Sequence, residues 1–220
     1  MPNTSILTKT QQLFLELLGK QPFSKKFYLS GGTALAGFYI PYRFSEDLDF
    51  FSEEEVKVDE ITAFLQSIKG ALGFESFDFN TSFNRNLFFF RFPDETLKLE
   101  FTYYPFPQLD SSKEEFGVKI DSIEDIAVNK LFTIYQTPRS RDFMDLYMII
   151  KKYGFTIKDL IKKAKIKFDT HVDPLRLGTQ FHLVTELKDY PNLINQLSEK
   201  EWQDFFKEEA KKLGEEIKEK

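Results

Sequence analysis

The segment Leu29-Ser30-Gly31-Gly32-Thr33-Ala34-Leu35, followed shortly by Arg43-Phe44-Ser45-Glu46-Asp47-Leu48-Asp49-Phe50-Phe51, decides the reading of the fold. Phe27 to Ser30 reads as a strand and Gly31-Gly32 as a turn. Thr33 to Tyr39 reads as a helix that must stop before Pro41, because the residue before a proline is pushed out of helical backbone angles. Leu48 and Phe50 then alternate with Asp47 and Asp49, the period-two pattern of a second strand with one face in the core. Strand, glycine turn, helix and strand follow in order, and the two aspartates project to one side.

Two like charges forced together in this way are unfavourable unless a cation neutralises them, and paired hard oxygen donors suit Mg²⁺ or Mn²⁺. A third strand-borne carboxylate follows from the same parity over Thr96 to Tyr104. There Leu97, Leu99 and Phe101 alternate with Lys98, Glu100 and Thr102, which puts Glu100 on the polar face. If that strand lies beside the Asp47 strand, three carboxylates converge, enough to hold two ions for in-line attack on an α-phosphate. Ser30-Gly31-Gly32-Thr33 adds small side chains and flexible backbone just before a helix N-terminus, where unpaired N–H groups and the helix dipole favour phosphate. An Asp-x-Asp pair or a Gly-Gly pair alone is weak, since either is more often a solvated strand or turn; their combination carries the chemistry.

Outward from this core, Ile6, Leu13, Phe14, Leu17 and Leu18 recur at helical spacing between Ser5 and Lys20. A helix is expected from Val56 to Gly70, and strands at Phe74 to Asn80, Leu87 to Phe92 and Thr96 to Tyr104. Pro105 and Pro107 then close the strand-rich half, since proline cannot donate to a ladder. A boundary near Ser111 to Gly117 divides residues 1–116 from a helical part, 117–220. Ser122-Ile-Glu-Asp125 reads as a capping box, and helices are predicted over Ile123 to Tyr135, Ser140 to Tyr153, Ile157 to Ile166, Leu175 to Leu187 and Ser198 to the C-terminal end.

The bulk numbers restrict the partners. The 220 residues are 41% hydrophobic and 30% charged, with no cysteine and a net charge of −5, the mixture of an ordinary globular protein. That charge argues against a uniformly basic nucleic-acid surface, so any phosphate site must be local. No apolar run is long enough for a membrane span and the N-terminus lacks a secretion signal, which makes a cytoplasmic location the expectation. Most of the 26 phenylalanines belong in the core rather than in base stacking. His171 and His182 lack a neighbouring nucleophile or zinc-ligand pattern and carry no role.

The glycine pair, the short helix and the Arg43-x-Ser45-x-Asp47-x-Asp49 signature together resemble the nucleotidyltransferase superfamily that includes DNA polymerase β, and most closely the AbiEii/AbiGii toxin family. Val128-Asn-Lys130-Leu131 and Arg139-Ser-Arg-Asp-Phe-Met-Asp-Leu146 are similar to its later motifs. The resemblance implies an α+β fold: a polymerase β-like mixed sheet with flanking helices, then a helical C-terminal domain that completes the site. It also implies transfer of a nucleoside monophosphate from an NTP with release of pyrophosphate, and two Mg²⁺ or Mn²⁺ ions on Asp47, Asp49 and Glu100. Ser30, Gly31, Gly32, Thr33, Arg43, Ser45 and Lys130 would bind the nucleotide, and Lys130 and Asp142 would join the carboxylates as catalytic residues. The expected acceptor is the 3′ end of tRNA, in a toxin restrained by an antitoxin or serving phage defence. A protein or small-molecule acceptor, or a non-catalytic nucleotide-binding module, are the alternatives.

Lys130 interrupts an apolar helical stripe and so needs an anion. Triphosphate on one hand, and on the other a buried ion pair with Asp142 or Asp145 or a side chain that snorkels to water, fit the spacing equally. Arg139 and Arg141, like Arg43, suit phosphate or an ordinary surface ion pair. Lys151 to Phe168 contains seven lysines and one acidic residue, Asp159. It reads as an RNA contact or, more often for such a run, as the solvated face of a helix whose Ile157, Leu160, Ile161 and Ala164 pack inward.

Overall fold

A computed structural model of the chain describes residues 6–93 and 96–218, with side chains described to residue 215. Ser5, where the sequence starts the first helix, and the final two residues lie outside the described residues. Backbone packing divides the chain between Ser122 and Ile123 into two units.

The first unit is built on one mixed sheet of seven strands in the order β3-β4-β5-β2-β1-β7-β6. Its strands are β1 (Tyr28–Ser30), β2 (Leu48–Ser52), β3 (Ser76–Ser82), β4 (Arg85–Arg91), β5 (Thr96–Tyr103), β6 (Lys113–Glu115) and β7 (Val118–Ile120). The central neighbours of β2 are β1, antiparallel, and β5, parallel, with Asp49 opposite Ser30 on one side and opposite Glu100 on the other. Strands β6 and β7 follow Pro105 and Pro107, and β7 pairs with β1, so the sheet continues past the prolines expected to end it. Three residues each are too few to show a period-two pattern, which is why the sequence hides them.

Helices α1 (Lys9–Gly19), α2 (Gly31–Phe38), α3 (Val58–Ser67) and the single turn α4 (Lys69–Leu72) belong to this unit. Thr8 and Gln11 start α1 with reciprocal side-chain bonds to each other's backbone N–H, as a capping box requires. Apolar residues of α1 and α3 cover one sheet face: Phe14 of α1 lies 6.0 Å from Phe50 and 6.2 Å from Phe64 of α3, and Phe50 stacks on Phe101 at 5.0 Å. Each fully buried phenylalanine contributes roughly 1.5–3 kcal/mol over leaving it in water. Their alternation turns every second residue of β2 and β5 to the opposite face, which bears the polar groups.

The second unit consists of α5 (Ile123–Gln136), α6 (Ser140–Tyr153), α7 (Ile157–Phe168), α8 (Pro174–His182) and α9 (Glu199–Lys218). Pro174 at the first position of α8 and Asp173, whose carboxylate accepts from the N–H groups of Leu175 and Arg176, start that helix, the arrangement expected of an N-cap. Trp202 and Phe206 of α9 are buried, with Phe206 4.8 Å from Phe143 and 5.1 Å from Phe181, so α9 docks through the aromatics its amphipathic sequence puts on one side.

Candidate active site

Ser30 ends β1 and is the residue that precedes α2, but its hydroxyl does not cap the helix. It donates instead to Oδ2 of the buried Asp121 at 2.6 Å, whose Oδ1 accepts from Nε2 of Gln108 at 2.9 Å. Gly31 and Gly32 form the first turn of α2 rather than a separate turn ahead of it. Gly31 has φ +70°, and a side chain there would come within 2.8 Å of Asp49 Oδ2. Gly32 makes room for the guanidinium of Arg43 and the hydroxyl of Ser45. Only glycine lets the Arg43–Asp49 segment lie this close to the helix start.

That segment is held from two sides. Gln11 of α1, itself buried, donates its amide to the carbonyls of Ser45 (3.0 Å) and Glu46 (3.1 Å). Thr33 Oγ1 of α2 donates to the carbonyl of Asp47. Arg43 is buried, with Nη1 2.9 Å from the Phe44 carbonyl. These contacts bring Ser30, Gly31, Gly32, Thr33, Arg43, Ser45, Asp47 and Asp49 together as the sequence pattern anticipated.

Asp47 lies one residue ahead of β2, and both aspartates are half-buried while Leu48 and Phe50 between and after them are fully buried. Glu100 stands beside Asp49 on β5. Two cations that no sequence motif singled out share this face. Lys98 Nζ donates to Asp47 Oδ2 at 2.8 Å and lies 3.9 Å from Glu100 Oε2. Arg85 of β4 takes Glu100 with both arms of its fork, Nε to Oε1 at 2.7 Å and Nη2 to Oε2 at 2.6 Å, and Thr102 Oγ1 donates to Oε1 at 2.8 Å. Burial pushes the Glu100 carboxyl up, yet the Arg85 and Thr102 hydrogen bonds and the nearby positive charges outweigh it and hold it below the usual carboxylate range.

As donors, Asp47 and Asp49 have the hard oxygens that Mg²⁺ or Mn²⁺ takes, although Asp47 Oδ2 accepts from Lys98. Glu100 has the chemistry but spends both oxygens on Arg85. Among the described residues no three His, Cys, Asp or Glu side chains converge to hold a metal.

In the second unit Lys130 lies in an ion network. Lys130 Nζ bonds Asp142 Oδ1 at 2.7 Å and Asp145 Oδ2 at 2.6 Å, and Arg139 Nε bonds the other oxygen of Asp142 at 2.7 Å. Burial raises the Asp142 carboxyl, but Lys130 and Arg139 together bring it below its ordinary value. Arg141 is exposed. Four of the seven lysines of the lysine-rich stretch are ion-paired: Lys151 with Glu201, Lys162 with Asp159, Lys163 with Glu124 and Lys167 with Asp125. Lys167 is buried, and the Asp125 read as a capping carboxylate receives it at 2.5 Å.

Comparison with known proteins follows the same residues. Residues 13–218 match the family described as "Nucleotidyl transferase AbiEii toxin, Type IV TA system". The chain belongs to the AbiEii nucleotidyltransferase toxin family. It is 30% identical over 170 residues, 74% of its length and 76% of the relative's, to the uncharacterized protein aq_aa25 of Aquifex aeolicus (strain VF5). Its fold is similar to that of JHP933 from Helicobacter pylori, with a TM-score of 0.63 and 24% identity across 96% of this chain and 91% of that one. A further H. pylori structure gives 0.61 and 23% identity over 96% and 94%. The AbiEii protein is therefore a nucleotidyltransferase with the mixed sheet and following helices its motifs implied. No helix among its described residues is long and apolar enough to cross a membrane.

Proposed function

We propose that this AbiEii enzyme moves a nucleoside monophosphate from an NTP to the 3′ end of tRNA, using two Mg²⁺ or Mn²⁺ ions, as the toxin of a toxin–antitoxin or phage-defence pair. One observation carries the reading: Asp49 lies directly across from Ser30, so the metal-type carboxylates sit beside the start of α2. The first backbone N–H groups of a helix have no intrahelical acceptor. The Ser30 hydroxyl is turned away to Asp121, and those N–H groups with the helix dipole suit the β- and γ-phosphates of an NTP.

Asp47 and Asp49 would hold the ions. The chemistry a divalent ion would supply if bound there is neutralisation of the paired carboxylates and polarisation of the α-phosphate. The protein residues orient the triphosphate: Gly31 and Gly32 allow its close approach, and Arg43 and Ser45 line the same turn. The nucleotide role that the resemblance gives Lys130 and Asp142 predicts a raised KM for NTP in Lys130→Met. A loss of stability with unchanged KM would leave that pair a structural ion network.

The family's toxin chemistry supports the RNA acceptor, while Lys162, Lys163 and Lys167 of α7 are already ion-paired. The test is incorporation of labelled NTP into total RNA and total protein with Mg²⁺ or Mn²⁺. Label in tRNA, lowered at least about a hundredfold in Asp49→Asn with the fold intact, is the expected result. Label confined to protein, or transfer undiminished by Asp49→Asn, overturns the reading.

A further inference from the structure

We propose that Arg85 is a substrate-binding residue on the acceptor side of the carboxylates, held there by Glu100 to contact a phosphate of a polynucleotide acceptor. This deepens, and rests on, the nucleotidyl transfer reading above. It changes the part Glu100 plays from third metal donor to anchor of an arginine.

The order of strands gives the direction. Across the sheet, β4-β5-β2-β1 carries Arg85, Glu100, Asp49 and Ser30 in turn. The start of α2 follows β1, so a triphosphate held there extends its leaving pyrophosphate to the β1 side of the aspartates. In-line displacement requires the attacking hydroxyl to come from the opposite side, which is the β5 and β4 side. Arg85 stands on that side: it pairs in register with Thr102, two residues along from Glu100 and on the same face. The charges of Asp49 and Asp47 both act on its guanidinium.

A buried carboxylate beside a metal pair has two uses, and the geometry separates them. Glu100 is only 4% exposed, and both its oxygens are taken by a bidentate fork with Thr102 adding a third donor. An ion at Glu100 would have to displace that fork. Arg85 itself is different: its side chain is 53% exposed. Of the five N–H donors of a guanidinium, two point at Glu100, which leaves three directed elsewhere in a plane fixed by the fork. A fixed, half-exposed guanidinium is the group that recognises phosphate oxygens in pairs.

The surrounding surface selects a polynucleotide over a lone phosphate. On the same face of β4, Leu87 and Phe89 are half-exposed, and Lys98 is opposite Phe89 on β5. The half-exposed Phe89 offers a base something to stack on beside the phosphate held by Arg85, as single-stranded nucleic acids need.

The test uses the full chain and four variants, Arg85→Gln, Arg85→Lys, Glu100→Gln and Asp49→Asn, each checked for folding by circular dichroism. Three bindings are measured: total tRNA and a short fluorescein-labelled single-stranded RNA by anisotropy across a salt series, mant-labelled nucleotides, and Mn²⁺ by electron paramagnetic resonance. Arg85→Gln is expected to weaken RNA about tenfold and to lower the salt slope by about one, with nucleotide and Mn²⁺ binding within about twofold. Arg85→Lys, which keeps the charge and loses the fork, restores the slope and part of the affinity. Glu100→Gln weakens RNA as Arg85→Gln does and keeps its Mn²⁺. The proposal is overturned if Arg85→Gln leaves RNA affinity and slope unchanged, or if Glu100→Gln loses Mn²⁺ as Asp49→Asn does. Wild-type protein that binds nucleotide and Mn²⁺ but not RNA refutes this proposal alone; one that binds neither nucleotide nor Mn²⁺ refutes the transfer reading beneath it.

Discussion

Replacing Lys167 with methionine isolates one buried ion pair in the second unit. Lys167 Nζ and Asp125 Oδ1 are 2.5 Å apart and neither side chain has any exposed surface. Methionine keeps most of the length and removes the charge, so Asp125 is left buried without its cation. Breaking a buried pair from one side costs about 3–5 kcal/mol, a loss of roughly a hundred- to a few thousandfold in the folding constant. With a urea dependence of about 2 kcal/mol/M for a unit of this size, the midpoint falls by about 1.5–2.5 M. The chain has a single tryptophan, Trp202, buried in α9 of the same unit, so its fluorescence follows this unfolding. The double variant Lys167→Met with Asp125→Leu is expected to recover most of the loss, because a well-packed apolar pair replaces a desolvated ionic one at little net cost. A single variant within about 1 kcal/mol of wild type, or a double variant as unstable as the single, would refute the claim that burying the Asp125 carboxylate without the Lys167 charge sets the magnitude.

The depressed carboxyl of Asp142 makes a pH prediction. Its folded value lies below the ordinary 3.8, so its contribution to stability is fully present above that pH and is lost as the pH falls further through the folded value. The Trp202 unfolding midpoint should drop below about pH 4, and Asp142→Asn should flatten that drop; an equally steep acid limb in the variant would contradict it. Gly31→Ala places a side chain at φ +70° and against Asp49 Oδ2. It should cost about 1–2 kcal/mol of stability and reduce transfer by more than that loss explains, since it displaces a carboxylate of the site. Unchanged transfer in a folded Gly31→Ala protein would show that Asp49 does not need its present position.

Much of the site was legible because its logic is local. Period-two alternation put Asp49 and Glu100 on the face opposite Phe50 and Phe101, which holds in β2 and β5; Asp47 lies one residue ahead of β2. Most ends of the helices in the second unit lie close to their predicted positions, since capping residues, glycines and the 3.6 period act within a few residues; α8 is the exception and stops at His182, five residues before the predicted Leu187. Where local signals were faint the reading slipped. Gly31 and Gly32 are the opening turn of α2, and three-residue strands β6 and β7 left no pattern to detect.

Partners of charged side chains were beyond the sequence for a different reason. Nothing within a few residues of Lys167 marks it as buried, because its lysine neighbours are on the surface; Asp125, supplied by another helix, takes it out of water. Lys98 likewise read as a strand-face residue and Arg85 lay outside the predicted strand, until the sheet order β4-β5-β2 made them the counter-ions of Asp47 and Glu100. Alternation and capping energies depend on neighbours along the chain, so the sequence by itself determined the strand–glycine–helix–strand order and the direction in which Asp47, Asp49 and Glu100 face. Coulomb and hydrogen-bond energies depend on distance in space, so only the tertiary structure decided which cations meet those carboxylates, and with it the difference between Glu100 as a metal donor and Glu100 as the anchor of Arg85.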